Sequence, residues 1–497
     1  MNDTLALLKS QEFDYTSRGG GRNFQGNTLV QYSNYQINPS FPKRFFKNEV
    51  AVTTQEAYDR DTSYWEKSRP APLSKEEQRY QKVKDSIQRF LTSEVYLDSI
   101  DSVFNRVTAL DLLWDGVGFS DRKTKRYLYI NSAAGMIDPF EIAGLRVGQD
   151  LYFFKKFENE KFIIISPGAD IGLRNKDIKY DFSFRMRYDP MHLGYFGFYT
   201  GKMFNTIVEN DALSNIFQRS NWIEEDRFTI YSSREIMNGV TLGGNLAFVN
   251  RLPIGDYDFG EITEDWFGGN NPLEFENYQS SIATFYLAIT PFQKYMTEPY
   301  RKVVLGSKWP NFRFVYQRGV PDLFGSDIDF SYFGTEIRQS FKLGTIGTSN
   351  YSAEYAKFLD KKDLRYVDYI IYPRGDKWFF ASQLESMQIQ DTTLAITDEY
   401  YRINYRHHFN GAIINYVPLI KKLGIHTVAG ASTLFITESN YRYVEGYFGI
   451  ERSFKAERAR YRIGVYFVEA VSNYSNIPPR IKFAFNRYNL RDQSWTY

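Results

Sequence analysis

The stretch Asp177 to Tyr188, DIKYDFSFRMRY, decides the fold. Ile178, Tyr180, Phe182, Phe184, Met186 and Tyr188 alternate with Asp177, Lys179, Asp181, Ser183, Arg185 and Arg187. A period of two puts the apolar side chains on one side of a strand and the polar ones on the other, which no helix can do. Length matters as much as period, because soluble strands run about 5 to 6 residues whereas a membrane-crossing strand needs roughly 9 to 11. Asp189-Pro190 closes the run as a turn, and Tyr195 to Tyr199 restarts the aromatic-rich pattern as a hairpin partner would.

The same alternation recurs from about residue 140 onward. Val240, Leu242, Leu246 and Phe248 oppose Thr241, Asn245 and Arg251, and Phe312, Phe314 and Tyr316 oppose Asn311, Arg313 and Gln317. Tyr401, Ile403 and Tyr405 oppose Arg402, Asn404 and Arg406. Ala459, Tyr461, Ile463, Val465 and Phe467 oppose Arg458, Arg460 and Arg462, and Ile481, Phe483 and Phe485 alternate with Lys482 and Asn486. At roughly 22 to 25 residues per strand and turn, this region holds roughly 14 to 16 strands, an even number being the rule for such barrels. The expected fold is all-β, a transmembrane antiparallel β-barrel over residues 136–497, closed so that every backbone group is paired and no edge is left. Its charged faces are expected to line a polar lumen, and its tyrosines to form girdles at the two headgroup layers. A soluble all-β protein fits alternation alone, but fits the strand length and the aromatic excess less well.

Composition agrees with this reading. The chain has 497 residues, 18% of them aromatic, with Tyr 39 and Phe 42, yet its mean hydropathy is -0.46. Lys+Arg 61 against Asp+Glu 59 leaves a net charge of +2, too little to grip a phosphate backbone, so no nucleic-acid partner is expected. Absence of cysteine excludes disulfides, thiolate metal sites and cysteine nucleophiles. No run reaches the roughly 18 to 20 apolar residues of a membrane helix. Leu5-Ala6-Leu7-Leu8 is too short for a signal-peptide core and follows no basic residues.

Residues 1–135 read as a separate, partly helical N-terminal segment, expected on the periplasmic side. The Gly-rich patch Arg18 to Arg22 and Pro39, Pro42, Pro70 and Pro72 are loop chemistry. Ser74 and Glu77 have capping-box spacing before an unbroken charged run, which predicts a solvated helix over about 74–90.

Searching for chemistry yields few candidates. No nucleophile-elbow motif is present, since Gly430-Ala431-Ser432-Thr433-Leu434 lacks its closing glycine. His192, His407, His408 and His426 form no metal-binding spacing, and the adjacent His407-His408 must point to opposite faces of a strand. We assign no catalytic residue, metal or cofactor. Ser432 with His407 on the barrel wall is the alternative, a barrel-embedded lipid hydrolase. A soluble carbohydrate-binding β protein, with Trp222 or Trp266 as platforms, is a further one. Residues 252 to 279 carry Asp256, Asp258, Glu261, Glu264, Asp265, Glu274 and Glu276 and no Lys or Arg, a candidate external acidic loop for cations or a basic partner.

Several segments together resemble a known family. Asp61-Thr62-Ser63-Tyr64-Trp65-Glu66-Lys67-Ser68-Arg69-Pro70 with Pro72-Leu73, Glu298-Pro299-Tyr300-Arg301-Lys302 with Leu305-Gly306-Ser307-Lys308, Val417 to Leu423, and Tyr447-Phe448-Gly449-Ile450-Glu451 carry the likeness. From about residue 30 to the end the chain resembles a Bacteroidota outer-membrane barrel family of unassigned function, associated with a carboxypeptidase-regulatory-like domain. The resemblance implies an outer-membrane barrel with a periplasmic N-terminal part, and it names no catalytic residue. The leading expectation is a non-enzymatic integral outer-membrane barrel acting as a pore, a surface-exposed binding barrel or an envelope-assembly accessory, with outer-membrane lipid and the barrel-assembly machinery as partners and any envelope protein partner left open. Such chains begin with a signal peptide and a small β-sandwich, so this one is expected to be an N-terminally truncated member. Glu298, Pro299, Tyr300, Arg301 and Lys302 are expected to form a turn or register lock at a strand end.

Overall fold

The computed structural model describes residues 7–19, 22–42, 48–69, 72–139, 142–208, 218–259, 271–390, 394–416, 423–456, 459–489 and 494–495. In the N-terminal segment β1 (Ser10–Gly19) and β2 (Arg22–Gln31) pair antiparallel along their whole length. Arg18, Gly19 and Arg22 of the patch expected to be a plain loop are therefore strand residues, with Gly19 paired to Arg22, and Gly20 and Gly21 lie outside the described residues. After β3 (Glu49–Val52) come α1 (Gln55–Asp59), α2 (Thr62–Ser68), α3 (Lys75–Thr92) and α4 (Glu94–Phe104). The capping box is formed at α3, where Ser74 Oγ accepts from Glu77 N at 3.2 Å and the Glu77 carboxylate accepts from Ser74 N at 2.7 Å. No residue of α3 is buried, as its charged sequence predicts. Thr54, Asp61 and Ser93 cap the other three helices, signals too short to separate from turn chemistry in sequence alone.

The rest is dominated by one antiparallel sheet. Its strands are β4 (Val117–Asp121), β5 (Arg126–Ile130), β6 (Ile137–Asp138), β7 (Arg146–Lys156), β8 (Phe162–Gly172), β9 (Ile178–Asp189), β10 (Gly194–Thr206), β11 (Trp222–Met237), β12 (Val240–Leu252) and β13 (Tyr278–Ile289). A hairpin outside this sheet, β14 (Lys294–Glu298) and β15 (Arg301–Gly306), pairs in parallel with β3 through β14. The sheet resumes with β16 (Asn311–Gly319), β17 (Asp329–Lys342) and β18 (Thr348–Asp363). The short pair β19 (Ile370–Ile371) and β20 (Ala395–Ile396) precedes β21 (Glu399–His408), β22 (Ile425–Ile436), β23 (Tyr441–Ala456), β24 (Ala459–Ser472), β25 (Arg480–Asn489) and β26 (Ser494–Trp495). From β7 to β25 fifteen sheet strands run nine to sixteen residues, the span a bilayer requires. The sheet begins at Val117, ahead of the boundary at residue 136, because β4 and β5 are too short and too mixed to show a period.

Burial alternates along the strands as the sequence predicts. In β24 Ile463, Val465 and Phe467 are exposed while Arg462, Tyr466 and Val468 are buried. In β23 Val444, Phe448 and Ile450 are exposed while Tyr443, Glu445 and Glu451 are buried. One face is oily and outward and the other is polar and inward. The two ends of the sheet also differ. At one end the connections 157–161, 190–193, 238–239 and 343–347 are short and only 290–310 and 409–424 are longer, while the two longest, 253–277 and 364–398, lie at the other. Asn238-Gly239 makes the tightest of the short turns, and Gly239 has φ 78° there with no room for a Cβ, which would lie 2.3 Å from the Thr290 carbonyl. The N-terminal segment meets the short-turn end. Asn105, after α4, donates to the Ser120 carbonyl at 3.0 Å and accepts from Ser120 N at 2.7 Å.

The tyrosines depart from expectation. Tyr400, Tyr441, Tyr443 and Tyr466 are among the largest fully buried side chains and face inward, although Tyr180, Tyr316 and Tyr401 do sit on the outer face. Tyr466 lies over Gly449, whose added Cβ would stand 2.2 Å from the ring. Gly449→Val is therefore expected to cost about 1–3 kcal/mol by overpacking, seen as a lower urea midpoint in refolding, whereas Gly446→Val, with nothing within 4 Å of the new Cβ, leaves the midpoint within error.

Candidate functional site

The most developed constellation lies on the inner face of β17 to β25, where the connection 364–398 folds in against the wall. Its Tyr372, Phe380, Met387, Ile389 and Ile396 form one apolar cluster with Tyr400, Leu434, Tyr443, Tyr447 and Tyr466 of the strands. Phe380 stacks on Tyr466 with centroids 3.7 Å apart and planes 3° off parallel. Polar anchors fix the connection's backbone. The Glu445 carboxylate accepts from Gln388 N at 2.8 Å and Ile389 N at 3.3 Å. The Lys482 ammonium donates to the Gln388 carbonyl. Arg402 and Asn404 donate to the Leu384 carbonyl at 3.2 and 2.9 Å, and Arg406 to the Gln383 side chain at 2.9 Å. Since β21 runs from Glu399 at the long-loop end to His408 at the short-turn end, contacts as far along as Arg406 show that the connection descends past the middle of the wall. Arg402 also pairs with Glu354 at 2.5 Å, so each of these buried charges has a partner.

One contact of this segment is of another kind. Phe483 of β25 donates its N–H to the Trp378 carbonyl at 2.9 Å and accepts from Phe380 N at 2.8 Å. Residues 378–380 thus lie against the edge of β25 in parallel, with Phe379 exposed opposite Phe483 and Trp378 exposed next to it. Sequence reasoning missed this segment because it carries no period-two run. The available signals were its length between two alternating stretches and the triplet Trp378-Phe379-Phe380.

The acidic loop is placed at the same long-loop end. Asp256, Glu274 and Glu276 are exposed, while Asp258 pairs with Arg174 at 3.2 Å. Glu261, Glu264 and Asp265 lie outside the described residues, as does Trp266. The loop is held by its apolar residues, with Ile254 and Phe259 packed on Ile142 and Phe204. Tyr257 bridges the inward Lys179, at 2.8 Å, and Glu224. Trp222 packs against that cluster rather than standing out as a platform.

At the short-turn end, Glu298 and Arg301 face each other across the turn of the β14–β15 hairpin, with Arg301 Nε 2.6 Å from the Glu298 carboxylate. That hydrogen bond holds the Glu298 carboxyl below its ordinary range. Lys302 is buried, donates to Glu235 and to Asn238 at 2.8 Å, and its backbone N–H donates to the Pro190 carbonyl at 3.2 Å. Arg301 also approaches Glu160 at 3.6 Å. The motif therefore reaches the turns after β7, β9 and β11.

The hydrolase pair is not assembled. Ser432 lies opposite Asn404 in the register and so faces inward, whereas His407 lies opposite Ala429 and faces the other way. His407 Nδ1 is instead 2.8 Å from Ser349 Oγ, its register partner on β18. Among the described residues no group of three or more His, Asp or Glu is arranged to hold a metal.

The model of a family of unknown function (DUF5686), C-terminal domain, matches residues 110–450. No curated protein matches the chain. Among solved structures, BamA from Haemophilus ducreyi lacking POTRA domains 1-3 is similar at 9% identity and TM-score 0.42, covering 96% of this chain and 89% of that one. Wzi of Escherichia coli, described as a carbohydrate-binding β-barrel involved in group 1 capsule assembly, is similar at 8% identity and TM-score 0.28, covering 69% and 77%. OccK10 of Pseudomonas aeruginosa is similar at 11% identity and TM-score 0.29, covering 73% and 97%.

Two outcomes follow from these anchors. Glu445→Ala strands two buried backbone donors, at about 1.5–3 kcal/mol, and trypsin should then cut at Arg374 or Lys377 at least tenfold faster, while Glu445→Gln, which keeps one acceptor, lies between. At the rim, Lys302→Met leaves Glu235 buried without its cation and should cost about 3–5 kcal/mol, whereas reversing the half-buried Arg301 to Glu should cost about 1 kcal/mol or less and lower yield without altering what the protein binds or passes.

Proposed function

Because the chain belongs to DUF5686, a family of unknown function, its role has to be read from its own geometry, and we propose that it is a closed outer-membrane β-barrel, non-enzymatic, whose lumen is blocked by the inward connection 364–398 and which acts as a surface-exposed binding or envelope-assembly barrel rather than an open pore. Strands of bilayer length with an apolar outer face support the membrane assignment. A strand order that sets β26 beside β4 and β9 beside β10 supports closure. Outer-membrane barrels have short periplasmic turns and long external loops, so the end carrying α4 and β3 is read as periplasmic and residues 253–277 and 364–398 as external. The observation that carries the functional reading is the clamp of Glu445 on Gln388 N and Ile389 N. A fixed carboxylate holding two successive backbone donors is a built anchor, which supports a connection permanently seated in the lumen.

Heat-modifiable mobility on gels of alkali-washed outer membranes tests the barrel, and planar-bilayer recordings test the plug. The intact protein should show no steady conductance, and replacing residues 373–390 by a short Gly/Ser linker should produce one. Steady conductance in the intact protein would overturn the plugged reading, and release of the chain by the alkaline wash would overturn the barrel itself.

A further inference from the structure

The outer face of the sheet is not uniformly convex. Across β10 to β13 one row in register reads Phe196, Ser232, Gly244, Phe285, two large rings flanking two positions with almost no side chain. A cleft of about 460 Å³ results, within the roughly 300–1,000 Å³ of ligand sites. Toward the long-loop end its sides are Ile230 and Leu246, and toward the short-turn end it passes Leu242 and Arg234 to finish at Ile236. From Ile230 to Arg234 the strand rises by about 13 Å at roughly 3.3 Å per residue, close to one leaflet of a hydrocarbon core about 30 Å thick. The cleft's walls are apolar, and its one charged side chain, Arg234, stands near the short-turn end just before Ile236.

That end carries both signs. Arg234 donates to the Asp189 carboxylate at 2.9 Å, and His192 Nδ1 is 3.0 Å from the same carboxylate. The Arg234 side chain is half exposed, and a guanidinium has five donors, so it retains N–H groups for a second acceptor. Cation and carboxylate side by side, at the end of an apolar trough as long as a leaflet, complement a zwitterionic headgroup on an acyl chain. We propose that this cleft is a binding site for one phosphatidylethanolamine of the periplasmic leaflet, its acyl chain lying between Phe196 and Phe285, its phosphate on Arg234 and its ammonium on Asp189. The assignment rests on the membrane reading above, which places the short-turn end at that leaflet.

The test uses the full chain purified in mild detergent, loaded with palmitoyl-oleoyl phosphatidylethanolamine or phosphatidylglycerol, and examined by native mass spectrometry after exchange. One phosphatidylethanolamine is expected to stay bound, with phosphatidylglycerol, which lacks the ammonium, retained at least tenfold less. Ser232→Phe fills the trough and Arg234→Glu removes the phosphate contact, and each should reduce retention about tenfold, while Ile450→Phe on a distant outer strand should not. Leu242→Trp fills the same trough from β12 should Ser232→Phe fail to give a heat-modifiable band. Equal retention in the filled variants, or equal retention of the two lipids, would mean ordinary annular lipid and overturn the site. A heat-modifiable wild-type barrel that retains no lipid overturns this site alone, and absence of any barrel overturns the membrane reading with it.

Discussion

Backbone polarity is the constraint from which the rest of this molecule follows. In the membrane setting proposed above a strand that faces hydrocarbon has no water to satisfy its N–H and C=O groups, so each must be met by a neighbouring strand, and side chains are left with two destinations only. Ile463, Val465 and Phe467 take the outer one and Arg462, Tyr466 and Val468 the inner one. The same constraint accounts for the descent of the connection 364–398. Strands β4 and β5 are five residues long, and β5 pairs with only the half of β7 from Leu151 to Lys155. Phe483 lies near the long-loop start of β25, where such short strands do not reach, and its N–H and C=O are met by Trp378 and Phe380 instead. The segment completes the wall from inside and sets the exposed Phe379 opposite Phe483.

With the connection packed on it, the inner face of the sheet becomes an interior, and its polar groups must be paired as in any core. Glu445 does this with two backbone donors and the Tyr443 hydroxyl at 2.7 Å, and Glu451 with Arg462 at 3.1 Å and the Tyr466 hydroxyl at 2.7 Å. Tyrosine suits the place because its ring fills space between strands while its hydroxyl reaches a carboxylate. A buried carboxylate without those partners would cost several kcal/mol, so the connection and the wall specify each other.

That mutual dependence marks how far the sequence could be read. Strand direction, period and facing were legible because they are local: Ile178 to Tyr188 states its two faces without help from any other residue. The α3 capping box was legible for the same reason. Destinations that depend on a partner elsewhere were not. Nothing around Tyr443 or Tyr466 distinguishes a membrane girdle from a core contact, since both positions ask for an amphipathic ring, and Phe380, which decides the matter for Tyr466, is far off in sequence. Ser432 and His407 looked compatible because spacing says nothing of parity between strands; the register of β21 with β22 sets them on opposite faces. The Glu298 to Lys302 motif was legible as a strand-end turn because Pro299 and its flanking charges are turn chemistry, but its reach to Glu235 and Pro190 belongs to the tertiary arrangement.

The hairpin also bears on how the two parts of the chain are joined. The family match begins at residue 110, just ahead of β4, so β14 and β15 lie inside it and β3 lies outside. Yet β3 docks on β14 in parallel, with Thr53 N donating to the Thr297 carbonyl at 2.8 Å. Backbone pairing asks almost nothing of side-chain identity, so a hairpin held rigid by Lys302 presents an edge to which any N-terminal extended segment of suitable length can add. The large sheet and the N-terminal segment are then coupled through one strand whose partner is fixed by the buried Lys302–Glu235 ion pair at the rim.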